Sequence, residues 1–272
     1  MTSQGLGKSG NQGIRESESR GGRDSGNRGT GESTNSRPIA DTDLRGNQPS
    51  SLPLFQSSNL PSVIRWSLLA GLLVAALGAS FAPWVNRSPA ALVLTAPDLA
   101  EFVKFLPEVR DGSLRVHRLL FLAPLFVATF SLPLIVISRR LAYPRWTRWP
   151  VLILVIPLAL TLLPPVWSPR VLLSMEFLLQ TVACLLCLGL IVISRWMRDT
   201  PIQPLLLLVA LTSLVASTLI LWEFYVVREA IASTYASAVV PGWGTWLTLI
   251  GFALAILSAL LLARTIDKTA TN

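Results

Sequence analysis

Nine tryptophans mark the ends of long apolar runs in this chain of 272 residues. Indole combines an apolar ring with one polar N–H, so it collects in the two headgroup layers of a bilayer. Trp66 and Trp84 enclose one run and Trp149 and Trp167 another, each of about 18 residues, which as a helix rises through roughly 27 Å. This rise is close to the hydrocarbon thickness of a membrane and predicts helices that cross lipid. The others are Trp146, Trp196, Trp222, Trp243 and Trp246.

The composition is that of a lipid-embedded protein rather than a water-soluble enzyme. Hydrophobic residues make up 51% of the chain, and the mean hydropathy is +0.55, values too apolar for a soluble surface. The net charge of +8 arises mostly after residue 60, where basic side chains are scattered among the ends of the apolar runs. Nucleic-acid binding requires basic side chains clustered on one face, so we expect no nucleic-acid partner.

The N-terminal segment, residues 1–60, is rich in Gly, Ser, Asn and Arg and has almost no large apolar side chain. Such a segment cannot bury enough surface to offset the entropy lost on ordering. We therefore expect a disordered cytoplasmic tail. It has no signal-peptide pattern, and Met1-Thr2 lacks the glycine required for myristoylation.

The apolar runs predict an all-α fold, a polytopic bundle of six transmembrane helices followed by a short cytoplasmic tail at 267–272. Basic residues crowd the second and fourth connections and the C-terminal tail, whereas bases and acids balance in the opposite loops. Because cytoplasmic loops carry an excess of Lys and Arg, we expect both termini in the cytoplasm and a location in the plasma (cell inner) membrane. The expected spans are approximately 63–83, 118–138, 149–166, 171–194, 204–223 and 246–263.

The segment 97–107, between the first two runs, has the pattern of an amphipathic helix. Thr95 and Asp98 fit a capping box, Pro97 suits a first turn and Pro107 ends the run. We expect this helix to lie on the outer leaflet as a brace between two spans; the alternative is a docking surface or a lid over a cavity. Its charged side, the candidate docking face, consists of Asp98, Glu101, Lys104 and Glu108.

A polar stripe on the predicted fourth span is the candidate functional site. Glu176 and Gln180 are one helical turn apart and share a face with two cysteines. An ionisable group inside a span costs free energy unless it snorkels, pairs or takes up a proton. His117 and Arg118, at the mouth of the second span, are the expected partners of Glu176. The candidate cluster is therefore Glu176, Gln180, His117 and Arg118, and it is either a structural ion pair or a functional carboxylate.

Catalytic and cofactor signatures are missing from the sequence. Cys184 and Cys187 have the spacing of a redox pair but fall in the middle of an apolar run without a nearby cation, so we expect them to pack as small apolar residues. His117 is the one histidine, which excludes a His-rich metal site. There is no G-x-S-x-G, H-E-x-x-H or phosphate-binding loop. We expect no enzyme activity, no cofactor and no bound metal.

A stripe of small residues on the last span offers a smooth face to another helix. Gly251, Ala255, Ala259 and Ala263 recur every four residues and predict close packing inside the bundle, self-association or contact with another membrane subunit.

The scarcity of buried polar groups bears on function, because solute paths need several such groups facing one cavity. Only Glu176 and Gln180 qualify, so we favour a non-catalytic subunit, assembly or scaffold component of a membrane complex. The alternative is a secondary transporter or permease subunit that uses the acidic residue on span four.

Overall fold

The structure, a computed structural model, describes residues 59–87, 92–165, 167–235 and 238–270. The predicted disordered tail lies outside these ranges, apart from the two residues that begin the first helix. Within them the protein is almost entirely helical, as predicted, with one two-stranded antiparallel sheet.

The helices in the described ranges are α1 (Asn59–Ser80), α2 (Ala96–Phe102), α3 (Pro107–Arg110), α4 (Ala123–Ile137), α5 (Arg145–Leu160), α6 (Pro169–Leu172), α7 (Leu178–Ile193), α8 (Ile202–Thr234) and α9 (Trp243–Ala270). Three 3-10 turns cover Val103–Phe105, Arg118–Leu122 and Met197–Asp199, and the strands are β1 (Val85–Arg87) and β2 (Leu92–Leu94). Helix α9 thus extends to Ala270, into the segment 267–272 that the sequence assigned to a tail.

Four helical stretches are long and apolar enough to cross a membrane, with mean hydropathies of 1.7 to 2.4. They are Ser62–Ser80, Arg118–Ile137, Ile202–Thr234 and Trp243–Ile266. The protein is therefore membrane-embedded, and four of the six predicted spans are confirmed in length and composition. Helices α5 and α7 have 16 residues each and rise only about 24 Å, less than the roughly 20 residues of an ordinary span.

The connections between the six long helices gather at two ends of the bundle. At the arginine end, Arg65 near the start of α1 donates from Nη1 to the backbone oxygen of Leu141 at 2.6 Å, and Tyr143 donates to the oxygen of Arg65 at 2.5 Å. Arg139 and Asp199, from the α4–α5 and α7–α8 connections, form a salt bridge of 3.0 Å. Consecutive long helices therefore run in opposite directions.

The opposite end, the hairpin end, carries the small sheet and the segment between α1 and α4. Strands β1 and β2 pair with Val85 opposite Leu94, and the backbone N–H of Trp84 donates to Leu94 at 2.7 Å. The N–H of Gly242 donates to the oxygen of Trp84, also at 2.7 Å. These bonds tie the connection after α1 to the start of α9.

Helix α4 occupies the centre of the bundle and packs against α1, α5, α7 and α8. Leu125, Ala128, Leu132 and Ile135 recur at steps of three and four and are fully buried, so they form one continuous helix face. The core includes this face of α4.

The predicted small-residue stripe of α9 packs against α1 within the chain. Gly251, Ala255, Ala259 and Ala263 are all buried. A Cβ added to Gly251 would lie 2.5 Å from the backbone nitrogen of Ala75, because the two helices touch backbone to backbone. Helix α1 of the same chain therefore covers this face of α9 in the described bundle.

Most of the tryptophans form two exposed belts, as their spacing predicts, whereas Trp84 does not. The belts comprise Trp146, Trp149 and Trp196 towards the arginine end and Trp167, Trp222, Trp243 and Trp246 towards the hairpin end. Trp84 has no exposed surface, donates from Nε1 to Gly78 at 3.1 Å and contacts Phe224 edge-on. The predicted role of Trp84 as a lipid anchor is therefore wrong, because Trp84 is a core residue of the hairpin end.

Candidate functional site

Helix α2 forms where the sequence predicts an amphipathic helix. Thr95 is its N-cap and makes a capping box with Asp98, with Pro97 in the first turn, so the predicted start signals are confirmed. The predicted end at Pro107 is wrong, because the helix ends at Phe102 and Pro107 begins α3. Leu99, at the centre of its apolar face, is fully buried, and the helix packs against α1 and the 118–122 turn. The apolar face is thus covered by protein, in contrast to the expected contact with the outer leaflet.

A network of ion pairs joins this segment to the bundle. The carboxylate of Glu176 lies 2.7 Å from Lys104 Nζ and 2.8 Å from Arg118 Nη1. Lys104 also pairs with Glu101 at 2.5 Å, and Arg118 lies 3.9 Å from the second oxygen of Glu101. We call these four side chains, Glu101, Lys104, Arg118 and Glu176, the charge cluster. It holds two acids and two bases and is therefore electrically neutral.

The surroundings of the charge cluster keep Glu176 ionised. The Phe177 ring lies under both cations, 4.6 Å from Lys104 Nζ and 5.2 Å from the Arg118 guanidinium. The hydrogen bond from Lys104 lowers the pKa of Glu176 below its usual value; burial opposes this less strongly, and the charge of Lys104 and the contact with Arg118 lower the pKa further. A carboxylate stabilised in this way is suited to fastening two segments together and unsuited to taking up a proton near neutral pH.

The structure places the predicted site residues in three different settings. Arg118 does pair with Glu176, but Glu176 lies in the turn before α7 with 52% of its side chain exposed, whereas the sequence predicted a position inside the span. Gln180 is buried and is not one of the four residues of the charge cluster. His117 is exposed and contributes its backbone N–H, which donates to Glu223.

The candidate docking face is largely used within the chain. Asp98 caps α2, and Glu101 and Lys104 belong to the charge cluster. Glu108 accepts a hydrogen bond of 2.8 Å from the hydroxyl of Ser233 at the end of α8. These contacts turn the charged side of the segment towards its own bundle.

Glu223 is a polar contact that sequence reasoning missed. It is only 4% exposed and accepts from the backbone of His117, which joins α8 to the start of the second membrane helix. The sequence placed Glu223 in a loop because the predicted span ended there. The signal for a longer helix was the continuing apolar spacing of Phe224, Val227 and Ile231, which are buried.

A cavity of about 520 Å³ opens beside α2. Its walls are the charged side of α2, the end of α1, the turn that follows α5 and the first turn of α7. Gln180 borders it with 3% of its surface exposed, and its Oε1 has no hydrogen-bond partner in the part of the chain that the structure describes. Helix α2 therefore forms part of the wall of this cavity.

Metal and thiol chemistry receive no support from the described residues. No group of three or more His, Cys, Asp or Glu side chains lies close enough there to hold a metal ion. Cys184 and Cys187 are free thiols buried against the core.

The fold and the site define an integral membrane protein with a helical bundle and a structured, ion-paired segment at one end. No protein-family model matches the chain, and neither a curated protein nor a solved structure does.

Proposed function

We propose that the protein is a non-catalytic component of a membrane complex, one that holds or assembles partner subunits. The observation that supports the proposal is that the carboxylate of Glu176 is already paired with two cations of the same chain. Glu176 is engaged by Lys104 and Arg118 at the end of the bundle, where it fastens segments together. A coupling carboxylate of a transporter faces a path through the membrane and exchanges protons or ions.

The central helix supports the same proposal. The face of α4 that packs in the bundle is lined by Leu125, Ala128, Leu132 and Ile135. Polar side chains on this helix are limited to short hydroxyls such as Thr129 and Ser131. A dry, closely packed interior of this kind suits a rigid anchor.

We further propose six membrane crossings with both termini in the cytoplasm of a cell (inner) membrane. Support comes from α5 and α7, which each connect the arginine end with the hairpin end; short spans are accommodated by local thinning of the bilayer. The basic side chains at the arginine end also support this orientation, since they outnumber the acids near that end in the sequence, Asp199 and Asp267. They are Arg65, Arg139, Arg140, Arg145, Arg148, Arg195, Arg198 and Arg264.

Purification of the full chain tests the proposal directly. The tagged protein is extracted in a mild detergent from its native membrane, and co-purifying chains are identified and quantified by mass spectrometry. We expect at least one membrane protein in stoichiometric amount. A protein that purifies alone and moves solute in reconstituted vesicles would contradict the proposal.

A secondary transporter or permease subunit is the second candidate, and the cavity beside Gln180 favours it. In that case Glu176→Gln abolishes solute uptake while the amount of protein in the membrane stays normal. In the component proposal the same variant retains its partners, because the remaining contacts of α2 with α1 and the 118–122 turn hold the segment in place.

A further inference from the structure

The side chain of Gln180 is in an unusual environment for a membrane helix. It lies in the first turn of α7, and only 3% of its surface is exposed. Its Oε1 has no hydrogen-bond partner among the described residues. A buried amide oxygen without a hydrogen bond costs free energy. The cost is offset when a bound molecule supplies the missing donor.

Two spaces meet at this side chain. The first is the cavity of about 520 Å³ beneath α2, and the second is a groove of about 310 Å³ between α7 and the 118–126 segment. Leu122, Leu162 and Gln180 border both. The two spaces therefore adjoin at these three side chains, and we call them together the cleft; both volumes fall within the range of about 300–1,000 Å³ that is typical of ligand sites.

The polarity of this cleft changes along its length. The cavity has Ser80, Thr95, Asp98 and Glu101 in its wall. Apart from Gln180, the groove is lined only by apolar side chains, and two of them, Leu179 and Leu186, are more than half exposed on the outer surface of the bundle. The groove thus opens sideways, where lipid chains surround a membrane-embedded helix.

We propose that this cleft binds one membrane phospholipid with an ammonium head group. The acyl chain lies in the groove between α4 and α7, and the head group lies under α2. There the carboxylates of Asp98 and Glu101 accept from the ammonium, since charge-assisted hydrogen bonds to carboxylates are the strongest available. The ammonium, which carries the N–H donors of such a lipid, also donates to Gln180 Oε1 and so supplies the donor that this oxygen lacks. This site is independent of the assembly role proposed above.

Photolabelling of the full-length protein in vesicles tests the proposal. The vesicles contain phosphatidylethanolamine and phosphatidylglycerol, with a trace of phosphatidylethanolamine that carries a diazirine on one acyl chain. After irradiation, labelled peptides are quantified by mass spectrometry. We expect the label to concentrate on residues 119–126 and 179–186, which line the groove.

Three variants separate a built site from general lipid contact. Gln180→Leu removes the amide and should lower labelling of these peptides about fivefold, the equivalent of one hydrogen bond. Leu186→Trp fills the groove from its exposed side and should abolish the concentrated label. The matched control is Leu208→Trp, because Leu208 is also half exposed but borders a different, smaller pocket between α4 and α8; it should leave the label unchanged.

Two results would overturn the proposal. One is labelling that spreads over all exposed helices in proportion to their surface and is insensitive to Gln180→Leu and Leu186→Trp. The other is equal labelling of the groove by a diazirine phosphatidylglycerol, which has no ammonium group and would remove the role of Asp98 and Glu101. The thermal unfolding midpoint of each variant, measured in the same vesicles, verifies that the protein is folded.

Discussion

The setting of Glu176 in the structure differs from the setting that the sequence predicts. In the sequence it falls in an apolar run and is separated by 58 residues from Arg118 and by 72 from Lys104. In the structure all three meet, and the carboxylate becomes a fastening point for the segment that contains α2. Arg118 could be anticipated as a partner because both residues flank spans at the same end.

The pH dependence of stability tests this role. The pKa of Glu176 is lowered in the folded state, so its stabilising effect is fully present above the unfolded-state value of 4.5 and declines as the pH falls towards the lower folded-state pKa. Glu176→Gln should lower the thermal midpoint at pH 7 by about 2–4 °C, as expected for exposed ion pairs.

Below pH 4.5, the unfolded-state value, this difference should begin to shrink, and it should vanish once the pH is below the lowered folded-state pKa and the wild-type carboxylate is protonated in both states. Differential scanning fluorimetry of the detergent-solubilised protein from pH 7 to 3.5 provides the measurement. Glu229→Gln, an exposed carboxylate of α8 outside the charge cluster, is the control and should show no such pattern. Identical pH profiles for the two variants would contradict the role of Glu176.

Ala142 occupies a backbone conformation that alanine disfavours. Its φ is 48°, in the left-handed region, within the exposed turn between α4 and α5. Ala142→Gly removes the steric cost of about 1–2 kcal/mol, partly offset by the greater freedom of glycine in the unfolded chain. We expect a net gain of up to about 1 kcal/mol in the free energy of unfolding, measured by urea titration in mild detergent. Ala232→Gly, within α8, is the control and should lower the free energy of unfolding by about 1 kcal/mol. A lower free energy of unfolding in both variants would refute the argument.

At the scale of elements, the start of α2 could be predicted from local signals in the sequence, whereas the end of α8 could not. The capping box of Thr95 and Asp98 was found at the predicted start of α2, because a cap depends on residues within one turn of each other. The end of α8 at Thr234 was missed, because its last three turns are stabilised by tertiary contacts, such as the stacking of Tyr235 on Phe102. Such contacts between distant segments leave no local pattern.

The close contact of α1 and α9 makes a prediction for Gly251. A Cβ there would lie 2.6 Å from the oxygen of Gly71 and 2.5 Å from the nitrogen of Ala75, so the helices must separate. Gly251→Ala should lower the free energy of unfolding by about 1–3 kcal/mol. The matched control is Gly189→Ala in α7, where nothing lies within 4 Å of the new methyl group and the better helix propensity of alanine applies. Equal stability of the two variants in a thermal unfolding assay would refute the packing argument.

At the scale of the whole molecule, the unequal distribution of charge between the two ends predicts the orientation. Cysteines are introduced singly at Ser113, Arg140 and Arg170 in a chain whose native Cys184 and Cys187 are replaced by alanine. In intact cells a membrane-impermeant maleimide should label Ser113→Cys and Arg170→Cys, at the hairpin end. It should label Arg140→Cys, at the arginine end, only after permeabilisation.

Arg170 decides the number of crossings, since it lies between α5 and α7. Labelling of Arg170→Cys together with Arg140→Cys, and apart from Ser113→Cys, would contradict the crossing of these two short helices. Wild-type protein, with its two buried cysteines, provides the background value.

The part of the candidate site that could be predicted depends on how far apart its residues lie in the sequence. The residue types and the pairing of Arg118 with Glu176 were accessible, because an isolated carboxylate near a span end requires a nearby cation. The participation of Lys104 and the cavity beneath α2 were not accessible. Both depend on α2 folding back over the turn after α5, and this arrangement is set by packing between segments with no shared sequence signal.

The close contact between α1 and α9 also determines when these two helices can pair during synthesis. Gly71 and Gly251 are 180 positions apart in the chain, so α1 enters the membrane well before its partner helix is made. Until then, the backbone strip at Gly71 that α9 covers in the finished bundle is open to lipid or to another helix.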